Sequence, residues 1–122
     1  MKWRKLVHSD IEYLASLCQE TIPLHYYVTK EALEQKLFSH RCFCEEASYS
    51  LWENGECLGF IGVKIPDCED LLPATAWLSI LAVKEEAQRN GYGSLLLEKA
   101  QSTLKEMGIQ KWIVGQDFFC FF

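Results

Sequence analysis

The spacing of apolar positions changes several times along the chain, and each change predicts an element. Lys2 to His8 alternates, with Trp3, Lys5 and Val7 against Arg4, Leu6 and His8, which predicts an opening strand. Ser9-Asp10-Ile11-Glu12 then has the form of a capping box, in which Ser9 accepts from the amide three residues on and Glu12 reaches back. Ile11, Leu14, Ala15 and Cys18 recur at helical spacing, so a short amphipathic helix follows and ends before Pro23. Thr29 reads as a second N-cap, with Val28 stapled onto Leu33 and the apolar face continued by Leu37.

Ser48 to Glu53 and Cys57 to Ile65 are strand-like runs joined by Asn54-Gly55, a dipeptide that favours the positive φ angles of a two-residue hairpin turn. After an acidic loop from Pro66 to Thr75, Ala76 to Val83 is almost continuously apolar and β-branched at its centre, as a strand covered on both faces is. From Ser94 onward, Leu96, Leu97, Ala100, Leu104 and Met107 mark a strong amphipathic helix, and Gly108 supplies a left-handed stop. Ile109 to Gly115 reads as a last strand, and Gln116 to Phe122 as an aromatic tail. The predicted order is β-α-α-β-β-β-α-β. That order makes an α+β fold on a mixed sheet.

Composition narrows the function. A chain of 122 residues, 49% of them hydrophobic, fits one domain over residues 1–122 with a core of its own. Net charge is −5 and no Lys/Arg cluster is dense enough to displace phosphate counterions, so nucleic acid is not an expected partner. The apolar runs are too short to cross a bilayer and no secretory signal follows the basic Met1 to Lys5, so the expected compartment is the cytoplasm, with no membrane partner. The acidic groups around Glu45, Glu53 and Asp67 read as solvated surface, with attraction of a cationic amine as the second reading. Six cysteines without a Cys-x-x-Cys pair read as reduced, mostly buried thiols, and no metal is expected.

One segment carries chemistry. Gln88-Arg89-Asn90-Gly91-Tyr92-Gly93 lies between the buried strand and the strong helix. Two glycines at the mouth of a helix permit a tight turn whose amides face outward, and these donors together with the helix dipole make an anion site suited to a pyrophosphate. A Walker-type loop would need a lysine between Gly93 and Ser94, and a dinucleotide fold a third glycine at Leu96; neither is present.

The segment resembles the Gln/Arg-x-x-Gly-x-Gly/Ala signature of the GNAT superfamily of acetyl-coenzyme A-dependent N-acetyltransferases, and the predicted element order is similar to the first two-thirds of that fold. The resemblance implies a mostly antiparallel central sheet flanked by helices, without the family's usual last helix and strands. It also implies acetyl-CoA as co-substrate and a primary amine, on a small molecule or a peptide, as acceptor. On this chain it assigns the cofactor to Gln88, Arg89, Asn90, Gly91, Tyr92, Gly93 and Ser94 at the phosphates and to the backbone of Leu81, Ala82 and Val83 along the pantetheine arm. The Val83 N–H is the expected polariser of the thioester carbonyl.

The chain departs from the family in three ways. Glu85 replaces a common proline, and the strand from Ala76 to Val83 has no carboxylate, with Trp77 and Ser79 where the family often has its base. The family's usual further helix and strands are not expected after the aromatic tail. Asp117 is the candidate for proton transfer, with Gln116, Tyr49, His25, Tyr26 and Tyr27 as weaker ones and core packing as the alternative for the aromatics. The expected function is acetyl transfer to an amine, and the alternative is a non-catalytic CoA-binding module. Four aromatic rings in the tail and an open last strand predict a homodimer.

Overall fold

The computed structural model describes residues 2–21, 29–39, 42–65, 75–84, 90–109 and 111–113. Its elements are β1 (Lys2–Lys5), α1 (Ile11–Thr21), α2 (Lys30–Leu33, continued by a wider π-helical turn over Glu34–Phe38), β2 (Tyr49–Glu53), β3 (Glu56–Lys64), β4 (Thr75–Val83), α3 (Tyr92–Glu106) and β5 (Lys111–Ile113). The five strands form one sheet in the order β1-β2-β3-β4-β5. The first three neighbouring pairs are antiparallel and β4 runs parallel to β5. The mixed α+β architecture expected from the sequence is the one observed.

Local signals account for most boundaries. Asn54 and Gly55 turn the β2–β3 hairpin with φ of 53° and 77°, the left-handed pair that such a turn requires. Thr29 caps α2, its hydroxyl accepting from the Ala32 amide at 3.1 Å; Val28 lies outside the described residues. At the end of α3 the Ile109 amide bonds the Leu104 carbonyl at 2.9 Å and the Gly108 amide bonds Lys105 at 3.0 Å, with Gly108 at φ 85°. This is a Schellman stop.

Beyond one-residue shifts at the ends of β2, β3 and β4, four features differ from the sequence reading. β1 ends at Lys5 rather than His8 because its partner β2 begins at Tyr49, paired with Lys5. Ser9 sits inside a 3-10 turn, His8–Asp10, and so does not cap α1, which starts at Ile11. Instead the buried Asp10 is held by the Arg4 guanidinium at 3.2 Å. Helix α3 begins two residues early, at Tyr92, and Met107 is exposed at its C-cap. Ile109 belongs to the stop of α3, so β5 begins at Lys111.

Both faces of the sheet are covered. Leu14, Cys18, Leu33 and Leu37 from α1 and α2 pack with Trp52, Phe60, Ile80 and Ala82. On the other face Leu96, Ala100 and Leu104 from α3 pack with Leu51, Leu58, Ile61, Ala76 and Leu78. Such burial, at roughly 25 cal/mol per Å² of apolar surface, is what drives the two layers together. The packing leaves no room for a side chain at Gly59, where a Cβ would stand 2.9 Å from the carbonyl oxygen of Ala82 on β4 and 3.1 Å from Leu96 Cδ1 on α3.

Candidate functional site at the end of β4 and the start of α3

Gly91 is the N-cap of α3, with φ 76° and ψ 14°. A side chain there would be strained, which is why the turn into the helix needs glycine. Open space surrounds the position, since a Cβ on Gly91 would meet nothing within 4 Å. The carbonyl of Gly91 takes the Leu95 amide at 3.1 Å. The amides of Tyr92, Gly93 and Ser94 precede that first helical bond, and amides in this position have no intrahelical acceptor. Asn90, Gly91 and Ser94 are exposed and Tyr92 and Gly93 half-buried. Donors, dipole and room therefore coincide at one place.

Strand β4 delivers the second component. A Cβ on Gly93 would lie 3.7 Å from Val83 Cγ2, so the start of α3 adjoins the end of β4. The Lys84 amide donates to the Leu58 carbonyl at 2.7 Å across β3. In an antiparallel ladder, residues that bond the neighbour alternate with residues that face away from it. With Val83 paired to Gly59 and Leu81 to Ile61, the backbone groups of Ala82 and Ile80 turn toward β3 and those of Leu81 and Val83 toward the β5 side. The last described pair on that side is Trp77 with Ile113.

The ladder is interrupted between Gly62/Val63, so that Ser79 is the extra residue of β4 between the pairs Gly62–Ile80 and Val63–Leu78. Ser79 is fully buried, and its hydroxyl has no hydrogen-bond partner among the described residues. Nothing in the spacing of Ala76 to Val83 announces this bulge; its only trace in the sequence is one hydroxyl inside an apolar run. A second feature the sequence did not reveal is the ion pair between Lys84, which follows Val83, and Glu56 at the hairpin. The pair lines a cavity of about 240 Å³ with Tyr13, Ser16, Leu17 and Cys57.

The structure thus brings together Leu81, Ala82, Val83, Asn90, Gly91, Tyr92, Gly93 and Ser94. Gln88, Arg89, Gln116, Asp117, His25, Tyr26, Tyr27 and the aromatic tail lie outside the described residues. Tyr49 is held elsewhere: its hydroxyl pairs with Thr103 Oγ1 at 2.7 Å and accepts from Lys5 Nζ at 3.0 Å. Thr103 lies nine residues past Ser94, about 13 Å along the helix at 1.5 Å per residue. Burial acts to raise the Tyr49 pKa, but the hydrogen bonds of Lys5 and Thr103 and the charges of Lys5 and Lys99 outweigh it and lower it.

Cys18, Cys44 and Cys57 are buried free thiols and Cys42 is a half-buried one. Burial pushes Cys18 up to about 12, with Cys57 adding to the rise, and Cys57 to about 11. Among the described residues no group of three His, Cys, Asp or Glu could hold a metal, and no helix is long and apolar enough to cross a membrane.

The sequence matches the family model described as Acetyltransferase (GNAT) family over residues 12–118. No curated protein matches significantly. Among solved structures, the ribosomal-protein-S18-alanine N-acetyltransferase from Escherichia coli is 18% identical with a TM-score of 0.75, over 93% of this chain and 64% of that one. The chain thus spans less than two thirds of that enzyme. The aminoglycoside 6'-N-acetyltransferase AAC(6')-IG from Acinetobacter haemolyticus is 9% identical at a TM-score of 0.71, over 97% of this chain and 81% of that one. AAC(6')-Iy, solved with a bisubstrate analog containing CoA, is 14% identical at a TM-score of 0.70, over 94% and 78%. At these identities the structures share the fold.

Proposed function

Because this chain belongs to the acetyltransferase (GNAT) family, we propose that it transfers an acetyl group from acetyl-CoA to a primary amine on a small molecule or a peptide. The observation that carries this reading is the left-handed Gly91 opening α3 beside Val83, with space around it. In this reading the amides of Arg89, Asn90, Gly91, Gly93 and Ser94 receive the pyrophosphate, and Gln88 and Tyr92 complete that turn. The backbone of Leu81 to Val83 pairs with the amides of the pantetheine arm as an added strand would.

The amine attacks as the neutral base. Its nitrogen forms the new C–N bond as the C–S bond breaks; it then sheds a proton, and the departing thiolate gains one, leaving an acetamide and the CoA thiol. Asp117 is assigned the amine's proton. A Cβ on Gly93 would stand 3.7 Å from Val83 Cγ2, so in this reading the Val83 amide, expected to polarise the carbonyl, lies at the phosphate end of the arm and the polarisation is proposed for groups further up β4. Two of the similar structures are N-acetyltransferases named for a ribosomal protein and for aminoglycosides. They support an amine acceptor without choosing it.

One observation favours the second reading, a CoA-binding module without catalysis: β4 carries no carboxylate from Thr75 to Val83. Calorimetry with CoA, beside an acetyl-transfer assay over a panel of amines that reads thiol release, separates the two. Transfer to any amine supports the enzyme, CoA binding without transfer supports the module, and no binding overturns both. The homodimer through the last strand and aromatic tail is likewise proposed. Light scattering at micromolar concentration checks it, and a stable monomer would remove it.

A further inference from the structure

We infer that the Ser79 hydroxyl is a substrate contact, donating a hydrogen bond to the carbonyl oxygen of the bound acyl thioester. The inference rests on the CoA reading above and adds the residue that handles the reacting end.

The first observation is the orphan hydroxyl. Ser79 is wholly buried and its Oγ has no partner among the described residues. The other buried serines are satisfied: Ser48 Oγ donates to the Cys44 carbonyl at 2.7 Å and accepts from the Val63 amide at 2.9 Å, and Ser50 Oγ accepts from the Trp52 indole at 2.7 Å. Buried polar groups are almost always paired, so the exception calls for a partner that the free chain lacks.

The second is the bulge. Leu78 and Ser79 stand together opposite Val63, and bulges re-aim side chains next to reactive sites. The Val63 carbonyl takes the Cys44 amide at 2.8 Å and its amide donates to Ser48 Oγ at 2.9 Å, so both backbone groups of Val63 serve the segment from Cys44 to Ser48 and neither bonds Ser79.

The third is length. Val83 adjoins Gly93, where the phosphates are proposed to sit. Ser79 lies four residues up the strand, about 13 Å away at 3.3 Å per residue. An extended pantetheine arm covers a similar span. An arm anchored at the start of α3 and laid along β4 therefore brings its thioester to Ser79, in a setting that excludes water. There a hydroxyl meets the charge that builds on the carbonyl oxygen as the amine attacks.

The test compares CoA with acetyl-CoA, because only the latter has the carbonyl. Ser79→Ala removes an unpaired hydroxyl, so the ligand-free variant is expected to melt no lower than the parent protein. By calorimetry it should bind CoA as the parent does and acetyl-CoA about fivefold or more weakly. Turnover on any accepted amine should fall by about 10²–10³, the usual loss when one such donor is removed. Ser79→Cys, a weaker donor of similar size, should fall between, and it supplies the same ratio if the alanine variant does not fold. A parent protein that binds neither compound overturns the CoA reading and this contact with it. A parent protein that binds both, with variants that keep its acetyl-CoA to CoA affinity ratio and its turnover, overturns the Ser79 contact alone.

Discussion

Leu78 and Ile80 stand two residues apart on β4 and face opposite sides of the sheet. Leu78 packs against Leu96 and Ala100 of α3, whereas Ile80 packs in the layer of Leu33 and Leu37. In a regular strand, positions i and i+2 share a face. The bulge at Ser79 resets that phase, and it does so in the strand proposed to carry the cofactor. A similar step lies one strand away, where the register shifts between Leu51/Trp52 and Leu58 becomes the extra residue of β3.

The close approach of α3 to β3 depends on the bare backbone at Gly59. With the Ala82 carbonyl 2.9 Å from a Cβ placed there, Gly59→Ala is expected to destabilise the fold by about 1–3 kcal/mol. Urea denaturation should register this as a lower midpoint. An unchanged midpoint would show that β4 and α3 both give way at no cost.

Gly91 and Gly93 should separate strain from ligand contact. Gly91→Val forces a branched side chain to φ 76° and should lose about 1–2 kcal/mol of stability as well as CoA affinity. Gly93→Ala meets only an ordinary 3.7 Å contact with Val83, so it should keep its stability and lose affinity for CoA alone. Thermal melts with and without CoA distinguish the two patterns. A Gly93→Ala protein that binds CoA normally would place the phosphates elsewhere.

The buried thiols make stability depend on alkaline pH. Above the ordinary value of 9.0 the unfolded thiols ionise, while folded Cys18 keeps its proton to about 12 and Cys57 to about 11. The unfolded state then binds fewer protons, so stability is fully present below pH 9 and falls progressively above it. Denaturation midpoints at pH 8 and pH 10.5 should show the loss, and replacing both residues by alanine should flatten it. At pH 8 a thiol reagent should leave both residues unmodified until denaturant is added.

Tyr49 ties β2 to α3 through Thr103, and to β1 through Lys5. Tyr49→Phe keeps the ring but removes the bonds to Thr103 and Lys5, leaving the Thr103 hydroxyl with only the Lys99 carbonyl, so a loss of about 1 kcal/mol is expected. Because the pKa of Tyr49 is lowered from the ordinary value of 10.0, ultraviolet titration should show a phenol ionising below that value. A titration identical in the Phe variant would contradict that assignment.

The sequence by itself determined the features governed by a few neighbouring residues. Asn54-Gly55 makes the hairpin, Thr29 caps α2, and Gly91 and Gly108 bracket α3, because positive φ and a free side-chain acceptor are local requirements. The phosphate-turn candidates were legible for the same reason. Only the tertiary structure decided where the strand registers slip. Gly59 must clear Leu96 and Gly62 must clear Leu37 and Ile80, so β3 is held by helices on both faces at once. The ladder meets those demands by adding residues at Leu58 and Ser79. No periodicity within one strand encodes that adjustment, since it reconciles the packing of segments distant in sequence. The unpaired hydroxyl of Ser79 is therefore a property of the assembled sheet.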